Sequence, residues 1–176
     1  METEITILSC FFENPNKDFY IREIARIVKI NHTTVRQYLN KLVKEGFLSI
    51  IKKGLYPSYK LLLSRKTLNL KLFYNLEKLR ESNLIEDLEK EYDMPVIVLF
   101  GSYAKAMDDP TSDIDICLIT NVRKEMALEK YEKFLKRKIS LHKFTQKEWQ
   151  KAKTKNKGLV NNICNGIVLS GELEIV

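Results

Sequence analysis

Two acidic residues, Asp113 and Asp115, alternate with Ile114 and Ile116 in the second half of the chain. Successive side chains of a β-strand point to opposite faces, so this pattern places both carboxylates on one face and both isoleucines on the other. The Cβ atoms of the two acids should lie roughly 6–7 Å apart along the strand. The carboxylates can then bind one hard cation, or a pair of cations that share a phosphate. The spacing therefore predicts a metal site made of oxygen ligands.

A turn at Gly101-Ser102 comes shortly before this strand. It ends the unbroken apolar run Val96–Phe100, which is typical of a strand that is buried on both faces. Glycine lets a phosphate approach the main chain closely, and Ser102 adds a backbone N–H and a hydroxyl at the start of a helical turn. We therefore expect an anion site beside the metal site.

The stretch GSYAKAMDDPTSDID resembles the GS-x(10)-D-x-D signature of the DNA polymerase beta-type nucleotidyltransferase superfamily, in its minimal nucleotidyltransferase branch. The resemblance implies that Gly101 and Ser102 hold a nucleoside triphosphate, with Lys105 where the family usually has an arginine near the phosphates. It also implies that Asp113 and Asp115 are catalytic and bind Mg²⁺. A solvated edge strand would give the same alternation of acids, but the full set of motifs favours the family.

The strand that should follow the next helix departs from the pattern of active family members, which carry a third carboxylate there. In the segment Lys138–Phe144 the corresponding positions hold Ser140 and His142. The loss of one anionic ligand weakens a Mg²⁺ site. An imidazole can serve as a base near neutral pH, although a lone histidine is more often structural. Asp108 and Asp109 are alternative acids, but paired loop acids commonly form turns or stay solvated.

Composition predicts a globular, cytoplasmic protein. The chain has 176 residues, of which 44% are hydrophobic and 30% are charged. No apolar run approaches about 18 residues, and the first residues lack a secretory leader, so we expect neither a membrane span nor export. Its three cysteines show no ligand spacing, which favours reduced thiols and excludes a recognisable zinc site.

The positive charge is concentrated in one segment. The whole chain has a formal net charge of +7. The segment from Lys29 to Arg65 contains eight basic residues and only one acid, Glu45. Such a bias favours a polyanionic partner.

The same part of the chain has the pattern of three helices and a hairpin. Apolar residues recur at helical spacing over residues 4–13 and 21–28. A third helix should begin after Asn31 as N-cap and end at Gly46. Two short apolar runs around a turn at 52–54 then predict a β-hairpin with a basic tip.

This order of elements resembles a winged helix-turn-helix DNA-binding domain over about residues 1–65. The resemblance implies that His32–Glu45 is the recognition helix, that Lys52–Pro57 is the wing, and that double-stranded DNA is the partner. The outer face of the helix and the tip carry hydroxyls, amides and cations that suit base edges and phosphates. The predicted DNA-binding residues are Thr33, Thr34, Arg36, Gln37, Asn40, Lys41, Lys52 and Lys53. A helical interaction domain with solvated lysines is the alternative.

A helical linker is expected over residues 66–91. Leucines recur at helical spacing between Thr67 and Glu81, and the stripe continues through Leu84 and Leu88. The stripe either packs internally or forms the seam of a homodimer, which a two-fold operator would need.

Residues 92–176 should form the minimal nucleotidyltransferase domain, a mixed sheet flanked by helices. After the acid pair we expect a helix near Arg123–Arg137, a strand at about 138–144, a helix opened by a capping box at Thr145, a short helix at 159–165 and a final extended stretch. The predicted fold class of the chain is α/β (α+β).

Two functions remain open at this point. The first is an enzyme that transfers a nucleoside monophosphate from a nucleoside triphosphate to an unknown hydroxyl, with Mg²⁺ as cofactor. The second is a transcriptional regulator, or an antitoxin-like protein with a helical toxin-like partner, whose nucleotidyltransferase domain is inactive and senses nucleotide or binds protein. The missing third acid is the feature that separates them. Ala106 replaces a glycine usual in the family, and this departure concerns the geometry of the loop.

Overall fold

The computed structural model describes residues 2–52 and 54–174, and the chain divides into two compact units, Met1–Tyr74 and Asn75–Val176. The N-terminal unit contains α1 (Glu2–Glu13), β1 (Phe19–Tyr20), α2 (Ile21–Val28), α3 (His32–Lys44), β2 (Leu48–Ile51), β3 (Ser58–Leu61) and the first part of α4 (Arg65–Glu81). Its three strands are antiparallel in the order β1-β3-β2. This arrangement is compatible with the predicted winged helix.

Helix α3 begins and ends at the residues that the sequence predicts for its N-cap and its end. The Asn31 side chain accepts a hydrogen bond from the Thr33 N–H at 2.8 Å and so caps the first turn. Val35 and Leu39 are fully buried in the core of the unit, one helical turn apart. Gly46, with φ +78°, then ends the helix. The outer face is left exposed.

The C-terminal unit contains a four-stranded mixed sheet covered by helices. After the end of α4 come α5 (Leu84–Glu91), β4 (Val96–Phe100), α6 (Gly101–Ala104), β5 (Ile114–Ile119), α7 (Glu129–Leu135), β6 (Ile139–Phe144), α8 (Gln146–Lys155), α9 (Lys157–Cys164) and β7 (Ile167–Ser170). The strand order is β6-β5-β4-β7. The β5–β6 pair is parallel and the other two pairs are antiparallel. The predicted mixed α/β class is confirmed.

Alternation along the central strands gives the sheet two buried faces. Ile97 and Leu99 of β4 pack in one core cluster with residues of α5 and α7. Val98 and Phe100 pack in another, with Trp149 of α8 and residues of α9. Both faces of β4 are therefore buried, as its unbroken apolar run predicts.

The helix predicted near Arg123–Arg137 is wrong in its first half, because α7 begins only at Glu129. The backbone before it bonds to other parts of the unit. The Lys124 carbonyl accepts hydrogen bonds from the Tyr92 hydroxyl, at 3.1 Å, and from the Lys143 ammonium. These side-chain partners replace the bonds that a helix would supply.

The leucine stripe packs internally in its second half, where Leu76 and Leu79 join a core cluster of the C-terminal unit, whereas Leu68 and Leu72 are half-buried. Leu70 and Tyr74 of α4 pack against the core of the N-terminal unit, whereas Leu79 and the α5 residues Leu84 and Leu88 belong to a core cluster of the C-terminal unit. The division into compact units falls inside α4. The domain boundaries expected at 65 and 91 stay predictions, as does the homodimer. Among the described residues, no helix combines the length and apolar character that crossing a membrane requires.

Candidate functional site

The Asp115 carboxylate lies directly against the turn that follows β4. The antiparallel register pairs Phe100 with Asp115, which brings Gly101 beside the acid. A Cβ atom built on Gly101 would stand 2.1 Å from Oδ2 of Asp115. Gly101 also has φ +76°, a conformation that side chains rarely adopt. Both the backbone and the neighbouring carboxylate thus require glycine here.

The next residues form the short turn α6. Within the described chain no side chain caps this turn. The Ser102 carbonyl accepts hydrogen bonds from the N–H groups of Lys105 and Met107, at 3.1 and 3.0 Å, which closes the loop. Ser102 is half-buried and Lys105 is exposed. Ala106, at the position where the family usually has glycine, is buried with φ +55°, so this chain places a methyl group in a left-handed conformation.

The two acids differ in their surroundings. Asp113 precedes β5 and is exposed, whereas Asp115 lies within the strand and is half-buried. Burial raises the pKa of the Asp115 carboxyl, the nearby His142 opposes this shift, and the negative charge of Asp113 adds to it. A cation between the acids would offset both unfavourable contributions.

Strand β6 brings a hydroxyl and an imidazole to the acids. Its parallel register pairs Ser140 with Asp115, and His142 follows on the same face. Nε2 of His142 lies 3.8 Å from Oδ1 of Asp115 and 3.2 Å from Oγ of Ser140. The Phe100 ring lies beside the imidazole, with 5.2 Å between ring centroids. The place next to Asp115 on this strand therefore carries no carboxylate.

The loop acids have structural partners of their own. Asp108 is buried and accepts a hydrogen bond from the Asn75 amide at 2.9 Å. Asp109 accepts bonds from both the backbone N–H and the hydroxyl of Thr111, at 2.8 and 2.7 Å. The Thr111 hydroxyl is the main cause of the lowered pKa of Asp109. These contacts fix the loop that leads into Asp113.

The donor set fits a cation that is shared with a nucleotide. Among the described residues, no three His, Cys, Asp or Glu side chains form a group that could hold a metal ion. Burial raises the pKa of the Cys117 thiol to about 12, so this neighbour on the same strand stays protonated. Mg²⁺ is commonly bound by one or two carboxylates together with substrate phosphates. Asp113 and Asp115 meet that requirement once a triphosphate supplies the other oxygens.

Sequence reasoning missed a basic cleft next to Asp113. The charged residues that line this cavity of about 400 Å³ are three cations, Lys136, Arg137 and Lys138, and two acids, Asp113 and Glu132. The cations follow α7, where Lys136 takes φ +55° and turns the chain back toward β6. The basic run was visible in the sequence, but its position beside the acid depends on the β5–β6 pairing.

The predicted DNA-binding residues do not all have the same surroundings. Thr33, Arg36, Gln37, Asn40 and Lys52 are exposed and Thr34 is half-buried. Lys41 is exposed but forms ion pairs with Glu4 of α1 and, at 3.8 Å, with Glu45. Lys53 lies outside the described residues.

Residues 81–163 match the family model of the nucleotidyltransferase domain. The matched residues lie within the C-terminal unit, and nucleotidyltransferase domains generally use divalent metal ions. None of the curated proteins compared with the chain matches it.

Two solved structures show weak similarity to the chain. HmgR of Pseudomonas aeruginosa is 19% identical with a TM-score of 0.35, and the match covers 57% of this chain and 41% of HmgR. A candidate transcriptional regulator, RHA06195 from Rhodococcus sp. RHA1, is 16% identical with a TM-score of 0.34, covering 70% of this chain and 46% of that protein. The chain thus spans less than half the length of either, and likeness at this level carries no functional argument.

Proposed function

We propose that the protein transfers a nucleoside monophosphate from a nucleoside triphosphate to a hydroxyl group, with Mg²⁺ as cofactor. The match of residues 81–163 to the nucleotidyltransferase domain supports this proposal. The observation that carries this proposal is the placement of Asp115 against the glycine turn. The register of β4 and β5 puts the Asp115 carboxylate beside the main chain of Gly101. This contact supports a role for Asp115 in metal binding next to a phosphate site. A surface strand with solvated acids would not require this contact.

In the proposed site, one set of residues binds the triphosphate and the two acids bind the cation that offsets its charge. Gly101 lets the Asp115 carboxylate lie against the main chain, Ser102 offers its hydroxyl to a phosphate, and the exposed Lys105 supplies a positive charge to the triphosphate. Asp113 and Asp115 would hold Mg²⁺, which offsets phosphate charge and lowers the pKa of an acceptor hydroxyl when it is bound.

His142 is the group that we propose receives the acceptor proton. Its imidazole lies on the same face as the acids, and its Nε2 atom is 3.8 Å from Oδ1 of Asp115. Ser140, 3.2 Å from Nε2, orients the ring. We expect His142→Gln to slow transfer and to flatten its pH dependence while nucleotide affinity stays unchanged.

The second candidate function is a regulator whose nucleotidyltransferase domain binds nucleotide without transfer. The observation that favours it is that Ser140, and not an acid, is paired with Asp115. Binding through main-chain dipoles and one ammonium does not need a complete metal site, whereas transfer does.

A label-transfer assay separates the two functions. The four α-labelled ribonucleoside triphosphates are incubated with cell extract and either the unmodified protein or the variant with both Asp113→Asn and Asp115→Asn. Label that appears on an acceptor and is lost in the variant supports the enzyme. Mg²⁺-dependent binding without transfer supports the regulator. If no nucleotide binds at about millimolar concentration, with or without Mg²⁺, both functions are refuted.

For the N-terminal unit we propose binding to double-stranded DNA through the exposed face of α3. The support is the cluster of Arg36, Gln37 and Asn40 on one exposed face. Arg36→Ala should weaken DNA binding in a gel-shift titration. The affinity for DNA should also fall steeply with salt, because phosphate contacts release counterions. Arg26→Ala on α2 removes an exposed arginine outside this face and serves as the control. Affinity that is insensitive to salt and to Arg36→Ala would exclude this partner.

A homodimer and a helical toxin-like partner are the remaining proposals. Phe73 of α4 is 51% exposed and could contribute to either contact. Sedimentation of the full chain at about 10–50 µM, the range of moderate association, tests the dimer directly. A monomer at these concentrations would remove the argument for a two-fold operator.

A further inference from the structure

A cavity of about 510 Å³ opens on the N-terminal unit beside α3. Its lining comes from the junction of β1 and α2, from the first three turns of α3, and from β3 with the two residues before it. The lining residues are Tyr20, Ile21, Arg22, His32, Arg36, Asn40, Tyr56, Pro57 and Tyr59. The cavity therefore combines aromatic rings with positive charge, and an amide is placed among them.

Three tyrosines surround the space from different sides. Tyr59 is 3% exposed, whereas Tyr20 and Tyr56 are 49% and 66% exposed. Burial raises the pKa of the Tyr59 hydroxyl, and the positive charge of Arg36 opposes that shift, which places the guanidinium near this ring. Two large rings are thus left partly open to solvent around a buried third ring.

The polar groups follow one line along α3. His32, Arg36 and Asn40 are spaced four residues apart, so their side chains lie above one another on the same face. The Asn40 amide can both donate and accept hydrogen bonds, as the edge of a nucleobase requires. Arg36 and Arg22 supply charge for a phosphate.

We propose that this cavity binds an unpaired nucleobase of a nucleic acid, with the base stacked on the tyrosines and its phosphate near the arginines. A base within a duplex presents only its edge in the groove, whereas an unpaired base can present its flat face to aromatic side chains. The volume also lies within the range of pockets that enclose small organic molecules, about 300–1,000 Å³. A flat duplex contact would not need such a space.

This proposal shares with the proposed function only the binding of nucleic acid by the N-terminal unit. The test uses the full chain and three probes of equal length and salt: a fully paired DNA duplex, the same duplex with one bulged 2-aminopurine, and the single strand that carries 2-aminopurine. The bulged duplex and the single strand should bind about tenfold more tightly than the paired duplex, since stacking on an aromatic side chain is worth about 1–3 kcal/mol per base. The fluorescence of 2-aminopurine should change on binding.

Substitutions at Tyr56 separate stacking from charge. Tyr56→Leu should abolish the preference for the unpaired probes, whereas Tyr56→Phe should keep it. Arg36→Ala should weaken binding to all three probes. Leu63→Ala removes a large exposed side chain of the same unit outside the cavity and should have no effect. A melting curve of each variant verifies the fold.

The possible results distinguish the two proposals. Equal affinity for paired and unpaired probes would overturn the base pocket and leave DNA binding intact. A preference that survives both Tyr56→Leu and Tyr20→Leu would also overturn it. If none of the probes binds, DNA binding by the N-terminal unit fails as well.

Discussion

Replacing Gly101 by alanine should damage the site more than it damages the fold. At φ +76° a side chain costs about 1–2 kcal/mol relative to glycine. The new methyl group would also stand 2.1 Å from Oδ2 of Asp115, far inside van der Waals contact. Because the Asp115 side chain is not fully buried, it can rotate away and relieve the clash. The expected free-energy loss is then mainly the backbone cost, while the carboxylate leaves its position against the turn.

Gly46 offers a matched control. Its φ of +78° nearly equals that of Gly101, but a Cβ built there meets no heavy atom within 4 Å. Gly46→Ala should therefore lower the stability of the N-terminal unit by the same 1–2 kcal/mol and leave nucleotide binding unchanged. The comparison separates backbone strain from displacement of Asp115.

Trp149 gives a direct measure of folding for the C-terminal unit. It is the single tryptophan of the chain and is 1% exposed in the core beneath the sheet. In Gly101→Ala its fluorescence transition should shift down by about 4–8 °C for each kcal/mol lost, while Mg²⁺-assisted binding of a nucleoside triphosphate is lost. Normal nucleotide binding by a folded Gly101→Ala protein would refute the role assigned to the contact between Gly101 and Asp115.

Three further predictions concern the C-terminal unit and use the same fluorescence transition. Burial raises the pKa of Asp115, so the native state binds its proton more tightly than the unfolded chain, and stability falls as pH rises from the unfolded to the folded pKa of this group. Asp115→Asn should therefore raise the melting temperature at pH 7 and lose this gain below about pH 4. A gain in melting temperature that is unchanged at low pH would contradict the reasoning. Asn75→Ala removes donors to the Tyr103 carbonyl and to the buried Asp108, and should cost about 1–3 kcal/mol, whereas Gln150→Ala at an exposed position should cost less than about 0.5 kcal/mol; equal losses would contradict it. Thr145→Ala breaks the capping box of α8 and should cost about 0.5–2 kcal/mol, against a smaller loss for Thr154→Ala, and the reverse order would argue against the cap.

Local signals in the sequence were sufficient for most elements. The N-cap at Asn31, the capping box of α8 and the apolar run of β4 each act within a few residues, and the structure contains all of them. These signals depend on neighbouring residues of the same element, so one sequence contains them completely.

Features that depend on distant residues were not predictable. Strand β1 has two residues, and its pairing with Tyr59 is set by the tertiary structure. Residues 123–128 lack a helix because side chains from Tyr92 and Lys143 bond to the Lys124 carbonyl. Periodicity within the segment contains no information about such partners.

In the candidate site, too, features set by neighbouring residues were predictable and features set by distant residues were not. The spacing of Asp113 and Asp115 was enough to predict a shared face, but the cleft formed by Lys136 and its neighbours depends on how β5 and β6 pair. The tyrosine cavity likewise joins residues from three separated stretches of the N-terminal unit. Neither set has a spacing that would reveal it in the sequence.

The pairing of Ser140 with Asp115 has a consequence for the charge that the sheet carries when no cation is bound. A third carboxylate at this place would add repulsion to a buried acid whose pKa is already raised, so the cation-free fold would be less stable. With a hydroxyl there, and His142 nearby, the empty domain carries less repulsive charge. Without a bound cation, the domain is therefore more stable with Ser140 than it would be with an acid at that position.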